Sequence, residues 1–241
     1  MQLRREWAES ALTTPRPGLV RLEDKLAWHD LAKQRRVPRP AVLARFGDGG
    51  ASWRHSQLAE AMRAPKERPL CAKPSHLTTG QGIFLVGEDG YAQRPRPTGP
   101  GAKEMADQQR EMAGVNSTVS VDSAALELHR LMGIRAEDPR NAKPLREVPP
   151  RAFVEEACPG GSTEVRVLVI FGEVVVAAAD SGPEETWPQV VQRAGPQMRE
   201  AASRLASHVQ VDLLRVDFFV QPDGTFTLNE ACSWLWPGDG F

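Results

Sequence analysis

The chain is 241 residues long, enough to bury a sizeable core as one large domain or two small lobes, and its 30 Lys+Arg against 31 Asp+Glu leave a net charge of −1. That balance excludes bulk electrostatic attraction to nucleic acid or to an anionic membrane. No apolar run approaches the roughly 20 residues that span a bilayer, residues 1–7 lack the apolar core of a signal peptide, and Cys71, Cys158 and Cys232 match no zinc spacing. A soluble, cytoplasmic protein with reduced thiols is therefore expected.

Residues 1–20 are polar and contain prolines, and they read as a loose lead-in. A helix is predicted over Leu22–Arg36, with Leu22, Leu26 and Leu31 on its apolar side, ending before Pro38 and Pro40. A short strand follows at Ala41–Phe46 and a short helix at Gln57–Arg63. Strands are predicted at Pro69–Lys73 and Gly82–Val86, enclosing the Ser/Thr/Gly loop Pro74–Gln81. Residues 88–121 are rich in Gly, Pro, Gln and charge without an apolar period, and read as a mobile insertion. Asp122–Met132 reads as a helix capped by Asp122 or Ser123, and Arg135–Pro150 as a further polar stretch. Strands resume at Arg151–Glu156, Glu164–Phe171 and Glu173–Ala179, with Gly172 marking a tight hairpin between the last two. Gln189–Val209 is a long helix, irregular near Gly195 and Pro196. The fold class is α+β, built of antiparallel hairpins with a few helices.

The most informative segment is the closing hairpin, Leu213–Glu230, whose alternating strands flank the turn residues Pro222, Asp223 and Gly224. A turn about Asp223 and Gly224 sets Asp217 opposite Glu230 and Arg215 opposite Cys232. A two- or four-residue loop gives this pairing, whereas a three-residue bulged loop breaks it. Opposed carboxylates repel, which a divalent cation between them would relieve; otherwise they are two acids on a solvated face. Strand alternation turns Asn229 to the other face.

Two other segments carry chemistry. Lys73 ends an apolar strand before a small-residue loop, and its charge together with loop N–H groups suits phosphate. Taken alone, Gly80 and Gly82 as the turn of a β-hairpin are the plainer reading. Glu155 and Glu156 end a second apolar strand and suit an adenine amino group or ribose hydroxyls, while Glu164 and Arg166 alternate on one face of the next strand. Acids at a strand end beside a loop are the plainer reading. His29, His55, His129 and His208 show no ligand spacing and suit surface or helix-face roles; His76 sits within the lysine loop. Cys71 reads as a small core residue, and Trp234 and Trp236 as packing residues.

In order, these segments resemble the ATP-grasp superfamily, most nearly its peptide-ligase-like members. The ordered set is Asp24-Lys25, the Lys73-Pro74 strand and glycine loop, the hinge at Val154–Ala157, Glu164–Glu173, Arg215–Phe219 and Leu228–Glu230. The lysine loop with its His76 is also similar to ATP-grasp proteins of teichuronopeptide and polysaccharide biosynthesis. The resemblance implies two lobes of mainly antiparallel sheet with ATP in the cleft between them and a reduced N-terminal domain. It divides the chain into a lead-in at 1–66, a small lobe with a variable insertion at 67–150, and a large lobe with the metal hairpin at 151–241.

By the same resemblance, Lys25 and Lys73 contact ATP phosphates, and the loop with His76, Thr79, Gly80 and Gly82 folds over them. Glu155, Glu156 and Cys158 hold the adenine, and Glu164 holds the ribose. Asp217 and Glu230 ligate Mg²⁺, or Mn²⁺ in its place, while Arg215 and Arg166 serve catalysis. The implied activity is ATP-dependent ligation of a small carboxylate or peptide substrate to an amine through an acyl phosphate. A phosphotransferase acting on a hydroxyl, or a nucleotide-binding protein without catalysis, are the alternatives. Neither nucleic acid nor a membrane is expected as partner, and a homo-oligomer is compatible with the pattern. Two features depart from the family. Cys232 stands where relatives commonly place an asparagine, and a short lead-in stands where many relatives carry a separate domain.

Overall fold

A computed structural model of the chain describes residues 24–50, 52–64, 68–77, 82–94, 118–133, 148–159, 161–181, 187–209 and 213–232, with the backbone alone for 176–181 and 187–194. The chain divides into two compact units. One holds the described residues within Pro40–Arg135 and Pro149–Gly160; the other holds those within Met1–Arg39, Ala136–Val148 and Gly161–Asp239. No helix among the described residues is long and apolar enough to cross a membrane.

The first unit is a six-stranded antiparallel sheet with two helices. Its strands are β1 (Val42–Phe46), β2 (Leu70–Pro74), β3 (Phe84–Val86), β4 (Tyr91–Gln93), β5 (Thr118–Ser120) and β6 (Ala152–Glu156), in the order β1-β6-β2-β3-β4-β5. Helices α2 (His55–Arg63) and α3 (Val121–Leu131) bury Leu58, Met62, Ala124 and Leu128 against Leu70, Ala72, Phe84, Ala152 and Val154 of the sheet. Those strand residues alternate with Cys71, Lys73, Phe153 and Glu155, so the opposite face of β2 and β6 carries the polar groups. Gly82 enters β3 with φ +69°, and a Cβ there would lie 2.5 Å from Leu131 Cδ1. Only glycine lets the chain pass under α3 at that point.

Strands β4 and β5 correct the reading of 88–121 as a mobile insertion at its two ends. Tyr91 to Gln93 pair with Ser120 to Thr118, and Ala92 is fully buried. Each of these strands carries a single apolar residue turned inward, Ala92 and Val119, which is too few to show a period; residues 95–117 lie outside the described residues. Helix α3 also begins earlier than expected. Ser120, not Asp122 or Ser123, is the N-cap, its side chain accepting from the Ser123 N–H at 3.2 Å. Burial of Val121 draws one more residue into the helix, leaving Asp122 in the first turn to meet the helix dipole and Arg63.

The second unit is a four-stranded antiparallel sheet in the order β10-β9-β7-β8, from β7 (Thr163–Ile170), β8 (Glu173–Ser181), β9 (Leu213–Val220) and β10 (Phe226–Cys232). Helices α1 (Lys25–Gln34) and α4 (Trp187–Val209) belong to it; α4 runs through Pro196. Asp24 caps α1 by accepting from the Leu26 N–H at 3.1 Å. The helix closes with Arg36 at φ 54° and the Val37 N–H donating to Ala32 O at 2.9 Å, a Schellman closure with arginine in the glycine position. Trp28, Leu31, Val165, Val167, Val169, Met198, Leu205, Leu214, Val216, Phe218 and Leu228 form the core. The β7–β8 hairpin turns on Phe171 (φ 50°) and Gly172 (φ 83°), the two left-handed positions of a type I′ turn.

The β9–β10 hairpin reaches the expected pairing by a different route. Val220 faces Phe226, the Gln221 N–H donates to Thr225 O at 2.8 Å, and Gly224 is left-handed at φ 89°, so the loop has three residues. That loop alone shifts the register by one. A bulge between Leu228 and Glu230 then shifts it back, and Asp217 faces Glu230 after all. Asp223 Oδ1 locks the loop by accepting from the Thr225 N–H (2.8 Å) and Oγ1 (2.7 Å), and these bonds lower its pKa. A lowered folded pKa gives stability that is present above the unfolded pKa and disappears as pH falls through the folded one. Asp223→Asn should therefore melt below the wild type at pH 7, and the two melting temperatures should converge as the solution is taken well below pH 4. Thermal melts across that range test this.

Candidate active site

On β9 the apolar set Leu214, Val216, Phe218 and Val220 faces the core. The alternate set therefore shares the other face: Arg215 and Asp217, flanked by Glu164 and Arg166 on β7 and by Glu230 and Cys232 on β10. Register ties them together, with Arg166 and Glu230 on either side of Asp217 and Cys232 beside Arg215. This face is dry at its centre, where Arg215 is 4% and Asp217 1% exposed.

Charges buried so deeply must be matched locally. Arg215 forks onto its neighbour, Nε and one terminal nitrogen each donating to a carboxylate oxygen of Asp217 at 2.9 Å, with that nitrogen 3.8 Å from Glu230 Oε1. Burial nevertheless pushes the Asp217 carboxyl up to about 8; Arg215 pulls it down, Glu230 and Glu164 push it up, and Arg166 pulls it down. A carboxyl under this pressure would gain from a further cation.

Asn229 belongs to the same face, contrary to the alternation expected for it. Leu228 and Ala231 are both core residues, so the bulge turns Asn229 and Glu230 together away from the core. The Asn229 amide nitrogen lies 3.2 Å from Glu164 Oε1, across β9. A sequence signal was present: the apolar positions of β10 run 226, 228, 231, and the step of three marks the bulge.

The first unit carries a second dry patch. Lys73 Nζ lies 2.5 Å from Glu155 Oε1, with side chains 7% and 4% exposed, and 5.5 Å from the Phe153 ring centroid. Cys71, opposite Glu155 in the register, is pushed up to about 12, chiefly by burial and against the pull of Lys73. The lysine and hinge glutamate assigned to different parts of a nucleotide are thus in contact with each other. His76 is buried, Glu156 and Cys158 are partly exposed, and Lys25 occupies the first position of α1 in the second unit. Thr79, Gly80, Trp234 and Trp236 lie outside the described residues.

Among the described residues no group of three or more His, Cys, Asp or Glu could by itself hold a metal ion. Two opposed carboxylates fit Mg²⁺, a hard ion that is usually bound by one or two carboxylates and keeps water and phosphate oxygens as its other ligands.

No protein-family model matches the sequence, and no curated protein sequence matches it. Solved structures do. An ADP complex of purK, N5-carboxyaminoimidazole ribonucleotide synthetase, matches with TM-score 0.52 and 13% identity over 91% of this chain and 47% of that one. Biotin carboxylase from Campylobacter jejuni in a β-γ-ATP complex matches with TM-score 0.51 and 14% identity over 90% of this chain and 41% of that one. The biotin carboxylase domain dimer of Hydrogenobacter thermophilus 2-oxoglutarate carboxylase, with MgADP, ADP and bicarbonate, matches with TM-score 0.53 and 12% identity over 90% and 40%. The chain thus spans less than half the length of these structures. Their likeness is one of fold: the chain has the α+β ATP-grasp fold that its ordered motifs imply.

The buried pair in the first unit yields a test. Glu155→Ala leaves an ammonium buried without its anion and is expected to cost about 3–5 kcal/mol. Replacing both partners, Lys73→Met with Glu155→Leu, is expected to recover most of that loss in urea unfolding.

Proposed function

We propose that the protein is an ATP- and Mg²⁺-dependent ligase that activates a carboxylate and passes it to an amine. The observation that carries this reading is the row Arg166, Asp217 and Glu230, with Arg215 forked onto Asp217, set side by side by the register of three strands. In the first unit, Lys73 binds phosphate oxygens, and Glu155 and the backbone from Glu156 to Cys158 hold the adenine. In the second, Glu164 takes the ribose, and Asp217 and Glu230 hold Mg²⁺, which when bound neutralises phosphate charge.

The substrate carboxylate oxygen forms a bond to the γ-phosphorus as the bond to the ADP oxygen breaks, and Arg215 and Arg166 stabilise the charge on the transferring group. The amine then attacks the acyl carbon, phosphate leaves with the bonding electrons, and the amine nitrogen releases a proton. These side chains act by position and charge, and no covalent bond to the protein forms.

ADP release is the measurement that tests this, over a panel of amino acids and dipeptides offered as acids and amines, with alcohols alongside. Release that needs both an acid and an amine supports ligation; release with an alcohol alone would replace it with phosphoryl transfer to a hydroxyl. Asp217→Asn keeps the shape of the side chain and should retain the fold, since Glu230 remains 3.8 Å from Arg215. It should lower Mg²⁺-dependent turnover by at least about 10²-fold, as loss of an electrostatic group at the reacting charge does. Undiminished turnover would remove Asp217 from the site.

A further inference from the structure

Asn229 has a place that neither strand alternation nor packing demands. The bulge lifts it out of the pleat, and its amide reaches across β9 to Glu164, 65 positions away in the chain. A carboxylate on a long side chain at the start of a strand has rotamer freedom, which costs binding energy when a ligand needs one orientation. An amide N–H₂ on one oxygen removes part of that freedom and leaves acceptor sites on both oxygens. Glu164 is only partly buried, so a ligand can reach its carboxylate.

We propose that Asn229 is a positioning residue: it holds the Glu164 carboxylate in the orientation that accepts the vicinal hydroxyls of a nucleotide's ribose. This rests on the nucleotide reading given above. The loop and bulge of the hairpin then have two products. They return Glu230 to Asp217, and they deliver an amide to Glu164. The residue acts on recognition of the sugar, not on the transferring phosphoryl group.

The consequence is measurable in binding alone. Calorimetric titration of the full chain with Mg²⁺ and either ATP or 2′,3′-dideoxy-ATP compares the same contacts with and without the hydroxyls. The wild type should prefer ATP by about tenfold or more, the scale of a hydrogen bond to a charged group. Asn229→Ala should lose most of that preference by weakening ATP while leaving the dideoxy nucleotide unchanged. Added to Glu164→Ala, it should have no further effect, since it acts through that carboxylate.

Equal weakening of both nucleotides, an unchanged preference, or full additivity with Glu164→Ala would each overturn the proposal and leave the nucleotide site standing. A wild type that binds neither nucleotide would overturn the nucleotide reading and this inference together. Should Asn229→Ala fail to fold, Asn229→Ser suits an irregular backbone position and is too short to make the same bond. The same two titrations then decide.

Discussion

A carboxylate and a guanidinium share an inner strand of a four-stranded sheet with almost no access to water, and the polar face of that sheet is arranged around them. The Asp217–Arg215 fork spans two residues on one strand. Its geometry is therefore set by the extended backbone of β9 itself. What tertiary structure adds is the flanking rows, Arg166 on one side and Glu230 on the other. The opposite face of β9 is uniformly apolar and packs on α4. The strand thus separates a greasy layer from an ionic one by the thickness of a single pleat. A buried ion pair is weak support for stability, because desolvation offsets the attraction.

The six-stranded unit repeats the logic with fewer residues. Lys73 and Glu155 sit on neighbouring strands, on the face turned away from α2 and α3, and neutralise each other in a dry setting. Phe153 and Cys71 line the pair. Each group is the other's counter-charge, so whatever displaces one must compensate the charge left on the other.

Much of this was legible in the sequence, and the misses have physical causes. Strand-and-turn patterning locates eight of the ten strands among the described residues within a few positions, because apolar alternation in a half-buried sheet is a strong local signal. The other two, β4 and β5, are three residues each, and their burial depends on α3, which the local sequence cannot report. The opposition of Asp217 and Glu230 was anticipated through a two-residue turn that does not form. The loop has three residues because Gly224 takes the left-handed position that closes it, and a bulge at Asn229 absorbs the extra residue. Asn229 was sent to the wrong face for the same reason: alternation counts residues, and a bulge breaks the count. The mutual contact of Lys73 and Glu155 was beyond sequence reasoning, since their strands are distant in the chain and nothing local sets their register.

The two irregularities of the last hairpin carry a consequence for how such a segment can change over time. Deleting Asn229 alone would leave β10 in strict alternation, with Leu228 and Ala231 on the core face and Glu230 still opposite Asp217. Deleting one loop residue alone would let Gln221 and Thr225 close a two-residue turn with the same register beyond it. The ionic row therefore survives either loss, and what the extra residue of the bulge supplies is the amide beside Glu164. A lineage that shed the bulge would keep its carboxylates opposed and would have to orient Glu164 by other means.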